Sequence, residues 1–328
     1  MMERSRLAII SPVDISSTLL PQLLPTAKMS RPPRNVNFYD GLTGAHLGGV
    51  RQNGSITNAN FFHMLMDVLL EADGIISIHH RGTGQRMPMN TDRLSEGDYD
   101  IFCPRGGFRL TEEYFVRRVH SRSRSSRENS FRDSVRARDG KCVLTGLVNN
   151  LASEGMWTEF EAAHIFPLER RELWRQCNFD RLTTINSVQN GMLVSSSVHR
   201  LFDSFLISVN PDDGYKITDF AGNNLQADGR VLDIVCRNPN NPDRVADDLL
   251  RWHFRQSVLA NMKGAGEPIF EHDFPPGTDM KCRGLYTLLN HLNIAQLRGV
   301  RHASYASAPS RYRPAALTGY CCSHEMDG

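Results

Sequence analysis

Apolar side chains recur at close spacing over Val36–Tyr39 and Leu47–Val50, on either side of a turn at Asp40-Gly41, and this predicts two short strands. Asn53-Gly54 marks a further turn. Thr57 or Asn58 is placed to cap a helix reaching about Leu70, with Phe61, Leu65, Val68 and Leu69 on one stripe. Extended segments at Ile75–Ile78 and Tyr99–Phe102 follow. The order strand, strand, helix, strand, strand predicts a small α+β domain of β-grasp type over residues 35–116.

The second half of the chain carries a different pattern. A helix is expected over Phe131–Arg138, stopped by Asp139-Gly140, and then a strand at Cys142–Thr145. Glu159–Pro167 reads as a strand ending at its proline, and Gly191–Val194 as a second. Ser195–Ser197 offers a cap for a helix bearing Val198, Leu201, Phe202 and Phe205. A hairpin turning at Pro211–Gly214 extends the sheet. A last helix over Asp248–Lys263 packs Leu249, Trp252, Val258 and Leu259, while Arg251, His253, Arg255 and Lys263 are candidates to face phosphate.

A length of 328 residues allows about two domains. The composition, 40% hydrophobic and 23% charged, is that of an ordinary folded protein. A net charge of +2 names no polyanionic partner, so the local distribution matters more than the total. Residues 117–141 hold nine basic against three acidic side chains. Within that seam, RRVHSRSRSSR reads as a linker over 117–130, whose Arg117, Arg118, Arg122, Arg124 and Arg127 form either a phosphate-neutralising arm or a solvated hinge. The serines between them admit phosphorylation as a charge switch. Residues 1–34, rich in proline, are expected to be a loosely ordered lead-in, and 281–328 a divergent, poorly ordered tail. Seven scattered cysteines argue for a reducing compartment, and no apolar run is long enough for a membrane span. An intracellular chain, nuclear or cytoplasmic, is the expectation.

Chemistry concentrates in the strand, loop, strand, helix stretch, expected within a domain over 131–280. His164 ends the first strand, Asn190 opens the second, and His199 and Asp203 lie four apart on one helix face. A histidine titrating near neutrality suits a general base that takes a proton from water. Each residue also has a plainer reading: a lone strand histidine is commonly a hydrogen-bonded core group, His199 can pack or cap on its helix, and Asp203 can pair with Arg200.

The segments AAHIFP, QNGMLVSSSVH and VHRLFD resemble the ββα-metal core of HNH endonucleases, and the chain from about 35 to 280 is similar to fungal HNH-domain proteins. The resemblance implies a divalent-metal-dependent endonuclease hydrolysing phosphodiester bonds, with DNA ahead of RNA and little sequence preference. It implies His164 as general base, Asn190 as the tether of the intervening loop, and His199 with Asp203 as ligands of one divalent ion, whether Mg, Mn, Zn or Ni. Many HNH nucleases carry a metal-binding Asp or His just before the base; here that position is Ala163, and Glu161 is the nearby carboxylate that is a candidate third ligand. Cys142 followed by Thr145 excludes a Cys-x-x-Cys zinc knuckle there. The alternative is a catalytically degenerate HNH scaffold that binds nucleic acid or a protein, and the amino-terminal domain is a candidate for contacts with a protein partner.

Overall fold

The computed structural model describes residues 34–116, 118, 126–222 and 225–264. The chain divides into units Met1–Asp273 and Phe274–Gly328, and every described residue belongs to the first. The lead-in before Arg34, most of the basic linker and the tail at 281–328 lie outside the described residues.

Strands β1 (Val36–Asp40) and β2 (His46–Val50) form an antiparallel hairpin. Its turn is closed by the Asp40 carboxylate, which accepts from the Leu42 and Thr43 amides. Thr57 caps α1 (Asn58–His63) through a reciprocal pair with Asn60. The expected continuation to about Leu70 is helical but changes winding, because Met64–Leu69 is a π-helical turn that delivers the chain into β3 (Leu70–Ala72). Next come β4 (Ser77–His80), β5 (Gly97–Phe102) and β6 (Phe108–Leu110). The main sheet has the order β2-β1-β5-β4, with β1 parallel to β5 and the outer pairs antiparallel, while β3 pairs with β6 apart from it. The parallel central pair needs a crossover, and α1 lies along it: Phe61 meets Phe38 at 6.0 Å and Tyr99 at 5.6 Å between ring centroids.

Helix α2 runs over Ser126–Asp139, starting within the stretch expected as linker. Cys142–Thr145 is a turn rather than a strand. Its apolar run points inward, with Cys142, Val143 and Leu144 buried, and Gly146 at φ +78° reverses the chain before a ladder can form. Strand β7 (Phe160–His164) pairs antiparallel with β8 (Gly191–Ser195), and the loop between them holds the short α3 (Arg171–Gln176). Helix α4 (Ser196–Asp203) follows β8 directly. The hairpin β9 (Ile207–Asn210) and β10 (Lys216–Asp219), then α5 (Ile234–Arg237), lead to α6 (Asp247–Met262).

Helix α6 is buried almost throughout and serves two cores. Leu249, Leu250, Trp252 and Ala260 join the core around β7, β8 and α4. Phe254, Val258, Leu259 and Met262 join the core of the amino-terminal sheet. Two apolar faces on one helix commit it to packing, which explains why His253, a candidate for phosphate, is fully buried instead. Its Nδ1 lies 2.8 Å from the Ser208 hydroxyl, its Nε2 3.1 Å from the Phe202 carbonyl oxygen, and its ring stacks on Phe202 at 3.7 Å. Among the described residues, no helix is long and apolar enough to cross a membrane.

Candidate active site

Strand β7 ends at His164, directly opposite Gly191, the first residue of β8. The glycine is required by packing and not by its extended backbone. A Cβ there would sit 2.5 Å from the Phe131 ring and 2.8 Å from Val135. Its absence lets α2 lie close enough for the Phe131 ring to stack on the His164 imidazole, centroids 3.8 Å apart and planes 11° from parallel. His164 is a half-buried residue whose Nε2 is enclosed and has no hydrogen-bond partner. Burial, reinforced by the positive charges of Arg118 and His199, lowers its pKa to about 3. The ring is therefore neutral at physiological pH, and a pKa this far below the near-neutral titration expected from the sequence makes it a weak base for the proton of water.

Asn190 is fully buried between β7 and β8. Its side-chain oxygen accepts from the Phe166 amide at 2.8 Å, and its Nδ2 donates to the Phe166 and Ile185 carbonyls at 3.1 and 2.8 Å. Three bonds thus close the loop between the strands on a single side chain. A buried ion pair adds a second clamp: Arg138 binds Asp139 at 2.6 Å and donates to the Val188 and Gly191 carbonyls. Asp139 in turn accepts from the Leu193 amide at 2.8 Å.

On α4, His199 lies between two carboxylates. Its Nδ1 meets Glu161, projecting from β7, in a short contact, and its Nε2 is 3.3 Å from Asp203 Oδ2. Burial works against the charge on Glu161, but His199, Ser196 and Arg200 overcome it and hold the pKa below the usual carboxylate value. The other Asp203 oxygen accepts from Arg118 at 2.7 Å.

This donor set fits a divalent cation in one way. His199 Nε2 and Asp203 Oδ2, one nitrogen and one oxygen, are separated as two adjacent ligands of a single ion are, and they suit Mg, Mn, Zn or Ni. Glu161 is at the opposite ring nitrogen, so the two carboxylates do not converge on one point. As the side chains stand, Glu161 does not share the side of the ring that Asp203 faces. Among the described residues, no group of three or more His, Cys, Asp or Glu side chains is arranged to hold a metal ion.

Of the basic side chains expected to face phosphate, those that are described are engaged by protein groups. Arg117, Arg122 and Arg124 lie outside the described residues, as does the side chain of Arg127. Arg118 points inward: its side chain is 7% exposed, and it donates to the carbonyls of His164 and Ile165 as well as to Asp203. Arg251 is exposed but engaged by Asp212 and Asp248, each within 2.8 Å. Arg255 is held by Glu113 and by the Asp67 carbonyl. Lys263 donates to the Glu113 carbonyl at 2.9 Å. The desolvated arginine among them is the one nearest the chemistry. Sequence reasoning missed Phe131 and the inward course of Arg118; Gly191 facing His164 was the available signal for the first, since a glycine opposite a strand end permits close approach.

Residues 142–210 match the family model of an HNH endonuclease, so the chain carries an HNH domain over the stretch that holds these side chains. Residues 33–107 match a domain of unknown function, DUF8573, spanning the amino-terminal sheet. No curated protein and no solved structure matches the chain.

Proposed function

We propose that the chain is a divalent-metal-dependent endonuclease that hydrolyses phosphodiester bonds of DNA with little sequence preference. The observation that carries this reading is the single Arg118 guanidinium that joins the backbone carbonyl of His164, at the end of β7, to the Asp203 carboxylate of α4, which lies 3.3 Å from the His199 ring. In the proposed reaction His164 accepts the proton of a water that attacks phosphorus in line with the leaving oxygen. Asn190 holds the loop so that the imidazole stays aimed. His199 and Asp203 are the ligands of one divalent ion, which when bound neutralises charge at the phosphate and the leaving oxygen. Glu161 accepts from Nδ1–H of His199, fixing the tautomer that leaves the Nε2 lone pair free. The amino-terminal module, whose strand order supports a β-grasp reading, contributes regulation or a protein contact.

Plasmid nicking by the full chain in Mg or Mn is the test, with His164→Ala expected to lower the rate by roughly 100- to 10,000-fold while leaving the fold intact. Equal cleavage by the variant removes the mechanism, and a side-by-side RNA and DNA panel decides the substrate. One observation favours a second reading, a non-catalytic nucleic-acid-binding scaffold: Arg118 already satisfies half of the Asp203 carboxylate. That reading expects binding that falls steeply with salt and no metal-dependent turnover.

A further inference from the structure

The segment leaving β6 is strapped down from its first residue. The Thr111 amide donates to Leu69, the Glu113 carboxylate and carbonyl bind Arg255 and Lys263 of the α6 region, and the Val116 amide donates to the Gln256 side chain at 2.7 Å. Phe115 packs edge-on against Phe205 at 6.0 Å. Two residues beyond Val116, Arg118 is enclosed among the end of β7, α4 and the Phe202 and Phe205 rings, 5.5 and 5.3 Å from its guanidinium carbon.

The bonds of this guanidinium are unlike those of a surface pair. One nitrogen donates to both the His164 carbonyl at 2.8 Å and Asp203 at 2.7 Å, and the other donates to the Ile165 carbonyl. Enclosing a cation is costly, and burial does lower the Arg118 pKa against the pull of Asp203 and Glu169. Three acceptors on its two terminal nitrogens offset that cost, and lysine cannot reproduce the two-nitrogen fork. The three acceptors are the proposed base's own carbonyl at the end of β7, the carbonyl that follows it, and a carboxylate of the proposed metal-binding pair on α4.

We propose that Arg118 is a positioning residue of the phosphodiester site: a fixed cation, following the segment strapped down over residues 111–116, that holds the end of β7 and the Asp203 carboxylate in one register. The site is then complete only when the segment between the two modules is seated, which couples the amino-terminal module to the chemistry. This rests on the nuclease reading for the word phosphodiester, but the register itself is measurable without turnover.

The experiment records the ring nitrogen signals of histidines in the full chain, labelled at histidine, for wild type, Arg118→Ala and Arg118→Lys. The expected result is displacement of the His164 and His199 signals in both variants, with His63 and His79 unmoved as controls. Guanidinium ion at non-denaturing concentration should return the Arg118→Ala signals toward wild type. Signals of His164 and His199 that stay in place in a folded Arg118→Ala chain overturn the proposal, as does an Arg118→Lys spectrum identical to wild type. Should the alanine variant fail to fold, the lysine variant alone decides. In nicking assays Arg118→Lys should lower kcat at least tenfold with KM within about twofold. A wild-type chain that cuts nothing while its variants still shift the rings sinks the nuclease reading and leaves the positioning role standing. A wild-type chain that cuts, with Arg118→Lys cutting equally and its rings unmoved, does the reverse.

Discussion

The Phe131 ring covers one face of the His164 imidazole in a near-parallel stack. Phe131 is 3% exposed, so it keeps water from that face and contributes to the burial that keeps the imidazole uncharged. Truncation to Phe131→Ala should cost about 3–5 kcal/mol of stability. It should also raise the His164 pKa from about 3 toward 6.5, because water then reaches the ring. Titrating the ring by nuclear magnetic resonance checks this, and a midpoint that stays near 3 in the variant would assign the depression to Arg118 and His199 instead.

The same depression sets a pH dependence of stability. His164 in the folded chain resists protonation down to about pH 3, whereas in the unfolded chain it takes a proton near 6.5. Below 6.5 the unfolded state therefore binds more protons, and stability falls as pH falls until the folded ring itself titrates. By about pH 4.5 the loss from this group is about 2–3 kcal/mol. Denaturant melts at neutral pH and at 4.5 should show a smaller acid loss for His164→Gln than for wild type. His253, whose pKa burial also lowers, pushes in the same direction in both proteins and so cancels from the comparison.

Gly191 bears on the same stack from the other side. Gly191→Ala places a methyl group against Phe131 and Val135, and since its backbone is extended, the penalty is steric and not conformational. A loss of about 1–3 kcal/mol is expected from overpacking. Adding Phe131→Leu should recover part of it, since the shorter side chain frees the space; a double variant less stable than the sum of the two single losses would contradict a shared contact.

How far the sequence reached differs between elements for physical reasons. Strand β7, strand β8 and helix α4 were legible because their short apolar runs and the serines at 195–197 before the helix are local signals. The turn at 142–145 was not, since a buried apolar run has the same composition whether it ladders or reverses, and only the left-handed Gly146 distinguishes them. Arg118 and Arg255 read as phosphate-facing cations because the local sequence gives no sign of which acidic side chain each will meet. Their partners, Asp203 and Glu113, lie 85 and 142 residues away. The placement of Glu161 was half legible: proximity to the site followed from the strand, but which ring nitrogen of His199 it meets depends on how α4 leaves β8.

Asn190 is a case where shape can be kept while bonding is lost. In Asn190→Asp the Phe166 amide still finds an acceptor, but the carbonyls of Phe166 and Ile185 lose their shared donor in a buried setting. The expected cost is about 3 kcal/mol, larger than for an exposed asparagine. Hydrogen exchange should show the 166–190 loop amides opening faster while those of the amino-terminal sheet are unchanged.

Glu161 and His199 separate the two ways of reading the carboxylate on β7. If Glu161 were a metal ligand, removing its charge would act as severely as removing the imidazole. The geometry puts it on Nδ1, across the ring from the Asp203 contact, where a carboxylate orients a ligating imidazole. Glu161→Gln keeps a carbonyl oxygen that can accept the Nδ1 proton but loses the charge, so Mn affinity measured by calorimetry should fall about 10- to 100-fold. His199→Ala and Asp203→Ala should each abolish binding in the accessible range, because two protein donors cannot be reduced to one without leaving a mainly aquated ion. A Glu161→Gln chain that binds no Mn at all would move Glu161 back into the coordination sphere, and would require the His199 ring to turn so that both carboxylates approach one side.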